Sequence, residues 1–168
     1  MTLSMYQASV PLFRTLLGAL SKNLDKAAAF CEAKKVDPSV LVGGRLAPDM
    51  FPLSKQVQIA TDMARGGAAR LAGKEVPSVA DTETTFDELK QRIADTIAYI
   101  DSIPASAIDG SETKDIVLKM RAGDTTFTGQ RYLMGFVIPN LTFHCATAYN
   151  ILRHNGVEIG KRDFLGTF

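Results

Sequence analysis

Apolar residues at steps of three and four constrain this chain more than any other feature. From Tyr6, the positions Val10, Phe13, Leu17, Leu20, Leu24, Ala27 and Cys31 fall on one side of a 3.6-residue repeat, which predicts a helix over about residues 4–34. Pro11 lies within its first two turns and has no N–H to give, so this helix either starts later than its stripe or bends there. After a loop holding Pro38, Gly43, Gly44 and Pro48, Pro52 preorganises a second helix. Its stripe runs Leu53, Val57, Ala60, Met63 or Ala64, Gly67 and Leu71, and it should end near Gly73.

Residues 74–84 form a polar linker. Thr85 and Glu88 then have capping-box spacing ahead of a third stripe, Phe86, Leu89, Ile93, Ile97 and Ile100, which Pro104 ends. The next segment has a different period: Ile116, Leu118 and Met120 alternate with Val117, Lys119 and Arg121, and Ala122-Gly123-Asp124 reads as a turn, so residues 115–128 predict a short β-hairpin. A fourth helix follows from about Gly129 to His154, with Arg153 and His154 at its negative dipole end and Gly156 as its stop. Four long helices with one apolar stripe each are buried most economically as a four-helix bundle. The expected class is therefore all-α, an up-down four-helix bundle with a hairpin inserted before the last helix.

A length of 168 residues with 46% hydrophobic positions fits one domain, 1–168, that buries roughly two thirds of its unfolded surface and needs no disulfide or metal to fold. Nineteen basic against 18 acidic side chains, without a block of like charge, argue against nucleic acid or an anionic membrane as partner. The apolar runs stop short of a membrane span. Cys31 and Cys145 sit in apolar helical contexts without a Cys-x-x-Cys, and no cationic leader precedes a long apolar run, so the expected location is the reducing cytoplasm.

Chemistry concentrates on the fourth helix. One face carries Leu133, Val137, Asn140, His144, Thr147 or Ala148, and Ile151, so Asn140 and His144 stand a turn apart on an otherwise apolar side. The second helix offers Gln56 beside Val57, with Gln58 and Asp62 nearer its flank, and the loop before it offers Arg45 and Asp49 as a pair. Tyr149 lines a cleft or supplies a phenolic donor, as does Tyr132, unless each is simply core. Gly66-Gly67 lacks the Lys-Ser/Thr of a phosphate loop and reads as close helix packing. The candidate pocket therefore comprises Gln56, Asn140, His144, Tyr149, Arg45 and Asp49.

The helix order, the polar start of the second helix, and a core His followed by Tyr149 and Arg153-His154-Asn155-Gly156 resemble the DinB/YfiT-like superfamily of metalloenzymes. Three runs resemble more closely a domain-of-unknown-function family, number nineteen-ninety-three, within it: Met5-Tyr6-Gln7-Ala8-Ser9-Val10, Arg45-Leu46-Ala47-Pro48-Asp49-Met50-Phe51-Pro52 and Leu152-Arg153-His154-Asn155-Gly156-Val157. The resemblance implies a metal held by a His from the second helix and a His-x-x-x-His pair on the fourth, and the superfamily includes thiol-dependent transferases. Here His144 matches the first of the pair, Ala148 stands where the second is expected, and Gln56 or Gln58 replaces the remaining His.

A catalytic zinc takes three protein ligands and keeps one position open, so one imidazole with glutamines is too few. Cys145 points about 100° away from His144 around the helix. The expectation is no cofactor, with His144 the only candidate ligand, and a small-molecule-binding or interaction protein. The alternative is a metal-dependent transferase acting on a thiol, with zinc or nickel held at His144. A homodimer is also expected: the resemblance implies it, and Leu12, Leu16, Phe136 and Leu141 look surplus to one core.

Overall fold

In the computed structural model, which describes residues 3–120 and 123–166, the first stripe folds as α1 (Val10–Lys34). The helix starts at Val10 rather than residue 4 because Pro11 is tolerated only in a first turn, where N–H groups have no intrahelical acceptor. Residues 5–9 make turns instead, with the Ser9 hydroxyl donating to the Met5 carbonyl at 2.7 Å. The loop that follows contains a short helix that periodicity missed, α2 (Pro38–Val42), capped by the Asp37 carboxylate accepting from the Ser39 N–H at 2.9 Å.

α3 (Leu53–Leu71) buries Leu53, Val57, Ala60, Ala64 and Leu71, so Ala64 takes the inner position and Met63 a flank. α4 (Phe86–Asp101) opens with the expected capping box: the Glu88 N–H donates to Thr85 Oγ1 at 3.2 Å, and the Thr85 N–H to Glu88 Oε2 at 3.0 Å. A short α5 (Ala105–Ile108) leads into the hairpin, β1 (Asp115–Met120) against β2 (Gly123–Thr128), antiparallel from Asp115 opposite Thr128 to Met120 opposite Gly123. Ile116 and Leu118 face the core while Val117 is exposed, which fixes this register. Gly123 and Asp124, expected in the turn, already belong to β2, and Ala122 lies outside the described residues.

The fourth stripe is not one continuous α-helix. It runs as α6 (Gly129–Tyr132), a π-helical turn over Leu133–Val137, and α7 (Ile138–His154), with Pro139 in the first turn of α7. Proline has no N–H, and its ring would strike the carbonyl four residues back; the wider π turn, in which the Ile138 N–H bonds to the Leu133 carbonyl, relieves both problems. The inward face then runs through Leu141, fully buried, rather than Asn140, which is half-buried. A short α8 (Lys161–Leu165) closes the chain against α1.

α3 packs against α4 and α7, and α1 packs against both of these as well, so the long helices enclose one continuous core that includes Phe13, Leu17, Val57, Leu89, Ile100 and Ile151. The surplus apolar surface behind the dimer expectation is consumed within the chain: Leu16 and Leu141 are buried, and Leu12 and Phe136 pack on the core. No described helix is long and apolar enough to cross a membrane.

Candidate functional site

The structure brings two of the expected site residues into direct contact. Gln56, on the first turns of α3, is buried, and its Nε2 donates to the Phe51 carbonyl at 3.0 Å. That bond fixes the amide orientation and aims Oε1 at His144 on α7, 2.7 Å from Nδ1. An amide oxygen can only accept, so His144 Nδ1 carries the proton and Nε2 keeps its lone pair. Among the described residues Nε2 has no hydrogen-bond partner. Burial pushes the His144 pKa below its usual value, which holds the ring neutral. Phe143 meets the ring edge-on, with centroids 5.2 Å apart, and both Phe143 and Phe51 expose more than half their surface.

The other candidates lie elsewhere or turn away. Asn140 donates to the Phe136 carbonyl of its own helix at 2.6 Å rather than to His144. Tyr149 packs edge-on against Phe164 of α8, with centroids 5.9 Å apart. Arg45 reaches the Met50 carbonyl at 3.3 Å, next to the carbonyl that Gln56 uses, while Asp49 is exposed and no Arg45–Asp49 ion pair forms among the described residues. Tyr132 is core, its hydroxyl accepting from Arg70 Nη1 at 3.1 Å. Burial pushes the Cys145 thiol up to about 12, which leaves no thiolate at neutral pH.

Gln56 is engaged on both sides, and Ala148, one turn beyond His144, offers no ligating atom. Among the described residues no group of three His, Cys, Asp or Glu side chains converges as a metal site. The donor set at His144 is one imidazole nitrogen, which does not fit the three-ligand pattern of a catalytic zinc.

Sequence reasoning missed the largest polar cluster. Arg92 of α4 is buried and donates four hydrogen bonds, from Nε to Thr61 at 2.8 Å, from Nη1 to the Ala80 carbonyl and to Glu83 at 2.9 Å each, and from Nη2 to Asp62 at 2.8 Å, while Asp81 forms an ion pair with Nη2 at 3.0 Å. Burial alone would lower the Arg92 pKa, but the bond to Glu83 and the negative charges of Asp62, Glu83 and Asp81 outweigh it and leave it raised. Gln58 joins through Glu83 at 2.9 Å. Gln58 and Asp62 at their one-turn spacing were the only sequence trace of this cluster, and they do not disclose an arginine from another helix.

Two expectations follow for His144. Replacing it with Ala orphans Gln56 Oε1 and opens a small cavity, so His144→Ala should cost about 1 to 3 kcal/mol in urea unfolding. His154→Ala, at an exposed helix end, should cost far less. A reversed order of the two would refute the assigned faces of α7. The pH dependence has a definite sign. With the folded pKa below the unfolded value of 6.5, the unfolded chain binds the proton first, so stability falls as pH drops below about 6.5 until the folded ring also protonates. His144→Gln should flatten the melting temperature between pH 7 and 5; an unchanged slope would contradict the burial of a neutral ring. Asp81, held below its usual value first by the bond from Lys55, and Glu83, where burial raises the value but the bond from Arg92 and other hydrogen bonds outweigh it, add their own loss at lower pH.

These features define a class: a mostly helical protein with a small antiparallel hairpin, built around a buried histidine–glutamine pair where a metal site would need two further ligands. The chain matches the family described as "Domain of unknown function (DUF1993)" over residues 5–165, and it belongs to that family. It is also similar to the crystal structure of a DinB family member protein from Shewanella denitrificans, with 45% identity, a TM-score of 0.91, and coverage of 97% of this chain and 92% of that one. No curated protein matches the chain.

Proposed function

We propose that this protein is a DinB-like four-helix bundle that binds a small molecule, or docks a partner group, at His144 without the three-histidine metal of that superfamily. The observation that carries this reading is the Nδ1–H bond to Gln56 Oε1. It fixes the Nδ1–H tautomer and leaves Nε2 as a neutral acceptor next to the exposed ring of Phe143, with no metal-holding group of three side chains around it among the described residues. Such a site suits a ligand with one hydrogen-bond donor on an apolar body. The alternative, a metal-assisted transferase acting on a thiol, would need at least two further ligands, and Gln56 and Ala148 do not supply them.

Two-dimensional NMR on protein labelled at histidine nitrogens tests this. The His144 spectrum should show the Nδ1–H tautomer, and titration with phenol, a compact O–H donor with an apolar body, should move Nε2 in a saturable manner. An Nε2–H tautomer, or an Nε2 signal unmoved by phenol, would contradict the reading.

A further inference from the structure

A cleft of about 430 Å³ lies where α4 meets residues 77–83, away from the histidine–glutamine pair. Gln56 and Arg65 are about 13 Å apart along the α3 axis at the usual helical rise. Arg65 and Arg92 line this cleft together with Thr96, and Tyr99, Pro77 and Val79 supply apolar wall.

The two arginines are buried to a similar degree and differ sharply in how they are served. Arg65 is 6% exposed and Arg92 4%. All three guanidinium nitrogens of Arg92 donate, in four hydrogen bonds. Arg65 pairs with Asp62, which it shares with Arg92, and reaches only Thr96 Oγ1 at 3.5 Å with Nη1; among the described residues its buried Nε has no partner. Buried donors without acceptors are rare, and leaving even one on a buried guanidinium is costly. Burial followed by repulsion from Arg92 works against its charge, and Asp62 offsets this only in part, leaving its pKa lowered.

We infer that Arg65 is the recognition group of a second ligand site, and that this cleft takes a small monocarboxylate with an apolar body. The carboxylate would supply the acceptors that the Arg65 guanidinium lacks, with the Thr96 hydroxyl alongside, and the apolar part would lie on Tyr99, Pro77 and Val79. Charge limits the ligand to a single negative charge. The ion-paired cluster is balanced, Lys55, Arg65 and Arg92 against Asp62, Asp81 and Glu83, so a carboxylate would be held by direct bonds to the Arg65 guanidinium and not by a positive field. Glu88 and Asp95 also line the cleft and would repel a dianion such as phosphate.

The test is NMR titration of the arginine Nε–H resonances with benzoate, hexanoate, benzamide and inorganic phosphate. The expected result is a saturable, millimolar shift of Arg65 Nε–H with benzoate and hexanoate, and none with benzamide or phosphate. Arg65→Gln should weaken benzoate at least tenfold and Tyr99→Ala severalfold, while His144→Ala leaves benzoate binding unchanged. That last arm separates this cleft from the phenol site, since either can fail alone. An unmoved Arg65 Nε–H, an equal response to benzamide or phosphate, or full benzoate affinity in Arg65→Gln would overturn the proposal. If Arg65→Gln does not fold, the wild-type titration and Tyr99→Ala still decide it.

Discussion

Arg92→Met should lower the unfolding free energy by about 3 kcal/mol, measured by urea denaturation at pH 7. The substitution keeps an apolar stem but strips Asp62, Asp81, Glu83 and the Thr61 hydroxyl of their shared donor. Removing one partner from a buried charged network costs about 3 to 5 kcal/mol, because the remaining charges stay where they were without compensation. The lower end applies because Asp62 and Asp81 are more than a third exposed and recover some hydration. Arg65→Met should cost about 1 kcal/mol or less: its Nε is already unmet, its bond to Thr96 is long at 3.5 Å, and its removal leaves Asp62 paired with Arg92. Equal losses for the two variants would refute the asymmetry between the arginines.

Gly129→Ala should be destabilising by about 3 kcal/mol for a steric reason alone. A Cβ at this position would fall on the Ser111 carbonyl oxygen, and that segment is pinned to the start of α6 by the Gln130 N–H bonded to the Glu112 carbonyl at 2.9 Å. Backbone cannot yield as a flexible side chain can, so overpacking here sits at the top of its usual range. Gly135→Ala makes a matched control, since its Cβ would meet only Arg131 Cγ at 4.0 Å. Thermal unfolding of the two variants checks this. A Gly129 variant as stable as the Gly135 variant would mean that the junction of loop and α6 is looser than described.

What the sequence disclosed, and what it hid, follows from the range of the interactions involved. α4 was legible to the residue at its start because a capping box is a local device, complete within Thr85–Glu88. α3 was legible because Pro52 and the stripe from Leu53 to Leu71 agree. The π turn was hidden because apolar residues at helical spacing lie on both sides of Pro139, and the stripe alone does not reveal that the chain has changed pitch between them. The error over Asn140 is one of step: from Val137 an ideal helix allows i+3, Asn140, or i+4, Leu141, and the folded one buries Leu141. Gln56 was legible as the inner neighbour of Val57, and its pairing with His144 gives a core histidine the glutamine acceptor that burial demands. Arg92 was hidden because its acceptors come from α3 and from Ala80, Asp81 and Glu83 in a segment that reads only as a polar linker.

The central claim is that His144 belongs to a hydrogen-bonded pair rather than to a metal centre, and metal content tests it most directly. Untagged protein equilibrated separately with zinc and nickel, then desalted, should retain far less than one equivalent by elemental analysis, with no shift in unfolding midpoint beyond that of His144→Ala treated alike. One equivalent of metal that stabilises the wild-type protein and is lost in His144→Ala would contradict the account.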